Sequence, residues 1–269
     1  MEGHLMRALI TGASGGIGAE LARLLAADRY DLVLVARDAQ ALDRMAGELR
    51  TRHGVSVRAI PADLARPGAA ERLWAVLGDA GGVDVLVNNA GVGLHGPLAE
   101  VDPARLQDMV LLNVASLTVL TRLALARMLE RGRGRILNVA SVAAYQPGGP
   151  GMAAYYASKA YVLSFSKGLA RELLGSGVSV TALCPGPTAT GFATGADASA
   201  TRMYRRTSGP DAVAVASAGY RGLMRGRIVV IPGLMAKLIA FAGGLPPRRI
   251  ALEVNRLLLA TPSRSRQPR

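Results

Sequence analysis

A chain of 269 residues with one cysteine, three histidines and a net charge of +13 excludes several classes at the outset. Cys184 alone can make neither an internal disulfide nor a cysteine-based zinc site, and no metal is expected. Half of the residues are hydrophobic but only 4% are aromatic, which suits helices packed closely on a sheet better than an all-β sandwich.

Met1-Glu2-Gly3-His4 lacks a basic segment leading into a long apolar one, so no signal peptide and a cytoplasmic location are expected. Apolar runs at 6–11, 31–36, 55–60, 83–88, 134–140 and 177–184 predict strands. Helical patterns fall between them, at about 16–28, 38–52, 67–79, 102–131 and 152–175. Such alternation predicts an α/β domain with a doubly wound parallel sheet and helices on both faces. A seventh strand is expected at 227–231, closed by Pro232-Gly233. The greasy stretch 109–129 contains Asn113, Arg122 and Arg127, and reads as a buried amphipathic helix rather than a membrane span. Residues 187–209, rich in Gly, Ala, Ser and Thr, are too long for an ordinary connection and predict a lid. No repeat or long linker divides the chain. One domain over 1–260 is therefore expected, with an amphipathic extension at 232–260 and a disordered tail at 261–269.

Charge is placed unevenly. Residues 202–269 carry 13 basic and two acidic side chains, against 19 and 17 in residues 1–201, so the C-terminal quarter is expected to face something negative. Nucleic acid is not that partner, because the basic residues lack aromatic interleaving and no reader motif is present.

Thr11-Gly12-Ala13-Ser14-Gly15-Gly16-Ile17-Gly18 follows the first strand and opens the first helix. Its glycines permit a tight turn and close approach of a pyrophosphate, whose charge the helix N-terminus meets; this is a Rossmann-type signal. At the end of the second strand, where NAD-binding proteins place an acidic residue, the chain has Ala36-Arg37. A guanidinium there suits a ribose phosphate, with the Ser14 hydroxyl beside it, so NADP(H) is expected over NAD(H). Asn88-Asn89-Ala90-Gly91 ends the fourth strand and would line the crevice at the carboxyl edge of the sheet. Asn113 interrupts an apolar helix and needs partners there. Ser141 ends the fifth strand, a place where a serine commonly serves a turn or a helix cap.

Lysine is nearly absent: Lys159, Lys167 and Lys237 stand against 29 arginines. Lys159 lies four residues after Tyr155, and positions i and i+4 share a helix face. An ammonium so placed favours the phenolate, which tunes the phenol for proton transfer near neutrality. Tyr145 and Tyr156 also fall near the site, but neither has a lysine at i+4. Tyr156 is offset by about 100° on the helix and is expected to pack. His95, after the Asn-Ala-Gly turn, could line the pocket but is read as a loop histidine without a role.

Taken in order, Thr11–Gly18, Asn88–Gly91, Asn113, Ser141, Tyr155-xxx-Lys159 and Pro185-Gly186-Pro187-Thr188-Ala189-Thr190 resemble the motif set of the classical short-chain dehydrogenases/reductases, over residues 5 to about 231. That resemblance implies hydride exchange between a nicotinamide and a carbonyl carbon, with Ser141 and Tyr155 hydrogen-bonding the oxygen and Tyr155 passing the proton. It implies that Lys159 holds the nicotinamide ribose and that Asn113 organises a water replacing the proton. It further implies cofactor contacts at Gly12, Ser14, Gly16, Ile17, Gly18, Arg37, Asp63, Leu64, Asn89, Ala90, Gly91, Tyr155, Lys159, Pro185, Gly186, Thr188 and Thr190, with Asp63 meeting adenine. A homodimer or homotetramer is implied as well. The different-class alternative is a non-catalytic NADP(H)-binding regulatory or scaffold protein on the same fold, since fold alone does not fix function.

The expected substrate is a hydrophobic carbonyl or secondary alcohol, with 3-oxoacyl thioesters, lipid ketones and polyketide-type ketones within that class. Phe192, Met203 and Tyr204 offer apolar surface beside Arg202, Arg205 and Arg206, followed by Leu234–Phe241 and Arg248–Leu259. Three readings stay open for this basic C-terminal quarter. It could receive a CoA thioester or an acidic carrier protein, it could lie on an anionic membrane as a peripheral contact, or it could simply cover the pocket and a subunit interface.

Overall fold

The computed structural model describes residues 6–78, 82–188, 192–199, 201, 211–244 and 247–260. Strands β1 (Arg7–Thr11), β2 (Asp31–Ala36), β3 (Val57–Pro61), β4 (Val85–Asn88), β5 (Gly134–Val139), β6 (Val178–Leu183) and β7 (Val229–Val230) pair in parallel. They form one sheet of order β3-β2-β1-β4-β5-β6-β7. The strand at 227–231 is real but only two residues long, since it pairs with Ala182 and Leu183 alone.

Alternating strand residues supply two cores, one on each face. Ala8, Ile10, Leu32, Leu34, Val85 and Val87 pack on one face against α1 (Gly16–Ala27), α2 (Ala39–His53) and the helix Ala212–Met224. Leu9, Val33, Val35, Leu86 and Ile136 pack on the other against α3 (Ala69–Leu77), α5 (Leu117–Glu130) and α6 (Ala153–Glu172). The expected helix over 102–131 is three pieces: α4 (Pro103–Val110), a π-helical turn at Leu111–Ser116, and α5. By length and mean hydropathy (1.8) this run could cross a membrane, yet Leu120, Ala124 and Met128 are seated in the core beneath the sheet.

Beyond the one-turn helix α7 (Phe192–Gly195), the helix α8 (Ala212–Met224) is absent from the sequence expectations. Its Ala, Val and Gly residues give no bulky stripe. The readable signal is Asp211, whose carboxylate caps the helix by accepting from Val213 N at 3.2 Å. Helices α9 (Leu234–Gly244) and α10 (Arg248–Leu259) close the described chain.

One polar ladder crosses the dry core. Asn88 and Asn138 are register partners on β4 and β5, and Asn88 Nδ2 donates to Asn138 Oδ1 and to Thr121 Oγ1, both at 2.9 Å. Asn138 Nδ2 in turn donates to Ser166 Oγ at 3.0 Å, fastening α6 to the sheet. Asn138→Leu removes an acceptor and a donor from this fully buried position. Stability measured by chemical denaturation is expected to fall by roughly 2–4 kcal/mol; an unchanged midpoint would show that the ladder contributes nothing.

Candidate active site

Connections leave β1 and β4 in opposite directions, which opens a crevice at the carboxyl ends of these two strands. The loop from β1 to α1 forms its floor. Gly12 has φ +65°, and a Cβ there would lie 2.7 Å from Asn89 Nδ2 and 2.9 Å from Ala90 Cα. A Cβ on Gly18 would collide with the Gly12 carbonyl, whereas one on Gly15 would meet nothing within 4 Å. The first two glycines therefore let the loop fold tightly, and the third lies against open space. No side chain caps α1, so the first-turn amides of this helix are left for an anion.

Across the switch point, Thr11 and Asn89 fasten the loop to β4. Thr11 Oγ1 accepts from the amides of Asn89 and Ala90, each at 3.0 Å, and donates to Val87 O at 3.2 Å. Asn89 Nδ2 donates to the carbonyls of Thr11 and Gly12, both at 3.0 Å. Asn88 turns into the core, so its neighbour Asn89 is the amide that faces the crevice.

Above this floor lies a cavity of about 980 Å³, near the upper end of the range for ligand sites. Of the residues expected to contact a cofactor, Gly12, Ser14, Gly16, Ile17, Arg37, Asp63, Leu64, Asn89, Ala90, Gly91, Pro185, Gly186 and Thr188 line it. Gly18 does not; it is buried beneath the loop. Thr190 lies outside the described residues, as do Met203, Tyr204, most of the expected lid and the tail 261–269. Asp38 also lines the cavity, which the sequence reading missed, but its Oδ1 caps α2 by accepting from Ala41 N at 2.9 Å.

The same cavity is lined by Ser141, Tyr155 and Lys159. Ser141 follows β5 and starts the 3₁₀ turn Val142–Tyr145, where its hydroxyl accepts from Ala143 N at 3.1 Å. Its bond to Pro185 O is stretched to 3.5 Å, long enough to yield to a better acceptor. Tyr155 and Lys159 sit one turn apart on α6, with the ammonium 5.9 Å from the centre of the phenol ring. Lys159 Nζ donates to Val139 O at 3.0 Å. Its burial beneath the cavity pushes the ammonium pKa down to about 8.

Asn113 stands one layer behind the wall, in the π-helical turn. Its amide donates to Val92 O (2.8 Å) and Ser158 Oγ (3.1 Å), and its oxygen accepts from Val92 N (3.0 Å). Ser158 then donates to the Tyr155 carbonyl at 2.7 Å. A Cβ on Gly91 would lie 3.2 Å from both Asn113 Oδ1 and Lys159 Nζ, so these two polar groups flank that glycine.

Three further side chains are candidates near the site. Tyr145 does not line the cavity; it is half-buried beside Cys184, with Lys167 Nζ 5.3 Å from its ring centre, and burial raises its phenol pKa. Tyr156 packs edge-on to Tyr155 and also reaches the cavity. His95 does not line it either, since its Nε2 meets the carbonyl of Leu259 at 2.9 Å and ties the end of α10 to the loop after β4. The outer wall includes Gln146, which sequence reasoning missed, and Ile239, Asn255 and Leu258 from the two stretches whose sequence reading allows them to cover the pocket. Asn255 Nδ2 donates to Gly148 O at 2.7 Å, and Gln146 Nε2 to Ile239 O at 2.7 Å, latching α9 and α10 over the opening.

A parallel sheet with a glycine-floored crevice at its switch point defines a Rossmann-like fold, and a tyrosine–lysine pair stands beside that crevice. Residues 6–200 match the family model described as short chain dehydrogenase, and the chain belongs to that family. It is 37% identical over 182 residues to a ketoacyl reductase, HetN, of a Nostoc species; the match covers 66% of this chain and 62% of that protein, under two thirds of the relative's length. Among solved structures it resembles a short-chain dehydrogenase from Sphingobium yanoikuyae in complex with NADPH, at 36% identity and TM-score 0.80 over 89% of this chain and 93% of that one. A Burkholderia phymatum short-chain dehydrogenase/reductase in complex with NAD aligns at 28% identity and TM-score 0.81, covering 98% and 99%.

Lys159 has a testable pH signature. Its folded pKa is depressed, so between about pH 8 and the ordinary lysine value near 10.4 the unfolded chain binds more protons than the folded one. Stability of the nucleotide-free protein contributed by this group therefore rises with pH across that window. Denaturation curves of wild type and Lys159→Met should diverge, with the wild type gaining on the variant from pH 8 upward. Parallel pH profiles would show that the ammonium is solvated in the folded state.

Proposed function

We propose that the chain is an NADP(H)-dependent oxidoreductase acting on a hydrophobic ketone or the corresponding secondary alcohol. The observation that carries this reading is that Ser141, Tyr155 and Lys159 line one cavity with the glycine loop and Arg37. When bound, the nicotinamide supplies or accepts the hydride. Tyr155 gives its proton to the carbonyl oxygen on reduction and takes it back on oxidation. Ser141 is a second donor aimed where negative charge develops, and such pre-placed donors commonly supply the largest catalytic contribution. Lys159 holds its position through Val139, keeps two N–H groups for the ribose hydroxyls, and biases Tyr155 toward the phenolate. Asn113 positions Val92 and, through Ser158, the helix turn bearing Tyr155; a water held between Asn113 and Lys159 would return the proton.

Cofactor preference rests on the second strand. Arg37 and Ser14 are exposed at the cavity lip, and the neighbouring carboxylate of Asp38 is engaged as a helix cap. A guanidinium there would meet the adenosine ribose of a bound dinucleotide, which favours a 2′-phosphate. The substrate side is apolar, with Val142, Met152, Phe192, Ile239 and Leu258, which supports a bulky carbonyl; 3-oxoacyl and polyketide-type ketones fall in that class. The likeness to a ketoacyl reductase points the same way. Walls drawn from Gly12 to Leu258 support one functional unit over 1–260. Exposed Val110, Leu129 and Tyr161 on α4–α6 support a homodimer or homotetramer.

Two measurements test this. With NADPH and a panel of hydrophobic ketones, Tyr155→Phe is expected to lower kcat by roughly 10²–10⁴ while leaving nucleotide affinity unchanged. No turnover by the wild type would leave the scaffold reading, and equal turnover by both proteins would remove Tyr155 from the chemistry. Arg37→Ala should lower kcat/KM for NADPH by about 10- to 100-fold and leave NADH almost untouched. Equal losses for the two nucleotides would overturn the NADP(H) preference.

A further inference from the structure

Helix α9 is inside out, and α10 turns most of its large apolar residues outward. In α9 the buried residues are small (Ala236, Ala240, Gly243), and the large ones face away: Leu234 is 74% exposed, Met235 68%, Leu238 53% and Phe241 69%. Leu234, Leu238 and Phe241 follow i, i+4, i+7 spacing and form one outward ridge. Lys237 is also exposed, at the ridge's border. In α10 the inward face carries Asn255, held by Gly148, and Leu259 at the end, while Ile250, Val254 and Leu257 form a second exposed ridge at the same spacing. A core-facing helix shows the reverse order. An exposed apolar surface built this way marks a contact.

One ridge residue and two exposed neighbours on the same helices also line the cavity. Leu234, Met235 and Leu258 are exposed residues at its mouth, so the outer apolar surface runs continuously into the substrate side of the site. The charge beside the ridges is positive: Lys237, Arg248, Arg249 and Arg256 against Glu253 alone, which is paired with Arg256. An isologous contact with a second copy would set these cations against their own counterparts. The ridges are aliphatic, with a single aromatic and no tryptophan or tyrosine, unlike the anchors of protein interfaces. Large apolar side chains bordered by lysine and arginine suit the boundary between acyl chains and anionic headgroups.

We propose that α9 and α10 seat the protein on an anionic lipid bilayer, with the mouth of the active site opening into the apolar layer, so that a membrane-dissolved carbonyl enters without crossing water. This deepens the functional reading above and depends on it for the substrate, but not for the membrane contact.

The test is flotation of the full chain, with saturating NADPH, on vesicles of phosphatidylcholine alone and of phosphatidylcholine mixed with phosphatidylglycerol. Wild type is expected to float with the mixed vesicles, less with the neutral ones and less at high salt. Leu238→Gln/Phe241→Gln and Ile250→Gln/Leu257→Gln should each lower vesicle partition by roughly tenfold or more. Arg248→Gln/Arg249→Gln should lose only the preference for the anionic lipid. All three double variants are expected to keep turnover of a small water-soluble ketone, which separates failure of the membrane contact from failure of the enzymatic reading. Wild type that remains at the bottom with both vesicles would overturn the proposal. So would variants that float like wild type. A solution mass that drops in the glutamine variants would assign the ridges to an interface between copies, and co-elution of wild type with an acidic carrier protein in place of vesicle binding would assign them to that partner.

Discussion

The bonds between Thr11 and Asn89 join the two halves of the sheet at the point where its winding reverses. There β1 and β4 diverge, and backbone groups at their ends have no further strand to pair with. Thr11 Oγ1 and the Asn89 amide satisfy those groups across the gap and clamp the glycine loop against β4. The crevice is consequently a feature of the sheet itself, held by this clamp. The contacts around Gly12 and Gly18 leave no room for a side chain at this clamp, so the loop's composition follows from its packing as much as from ligand approach.

Above the clamp, α6 brings a cation into the protein interior. Burying Lys159 is unfavourable for the charged form, and its pKa falls accordingly. The compensation visible in the fold is one carbonyl, Val139 O, and a cavity wall from which the remaining protons can reach a ligand. Asn113 belongs to the same layer. Its three hydrogen bonds are satisfied where the helix widens into a π turn, a local irregularity often found at functional sites. Polar support thus lies behind the wall, and Ser141, Tyr155 and Lys159 face the space.

The opposite wall is built differently. It consists of short helices latched by a few amide bonds, from Gln146 and Asn255, and by His95 at the end of α10. Small residues in α9 let its backbone approach the turn after β5, where Gly243 lies against Tyr145 and Gln146. Close approach leaves the bulky residues of that helix no place inside.

Local sequence was sufficient for the strand–helix alternation, the glycine loop and the spacing of Tyr155 and Lys159. Each depends on neighbours within one turn or one strand: period-two apolarity, a turn that only glycine permits, an i+4 relation on a helix. Arg37 was legible for the same reason, as the first side chain after an apolar strand. What only the tertiary structure decided are relations between distant segments. Asn88 and Asn89 are identical in type, yet register with Asn138 draws one into the core and Thr11 draws the other to the crevice. Asn113 is buried where a polar helix residue could equally have faced solvent, because Val92 is there to meet it. The helix at 212–224 escaped notice because its small residues make a core contact only when Leu183 and Val230 lie opposite Gly219 and Gly222. The outward turn of α9 and α10 is the sharpest case. Their amphipathic pattern is local, but which face meets the protein is set by the narrow space beside residues 145–148, and that space exists only once the chain has folded.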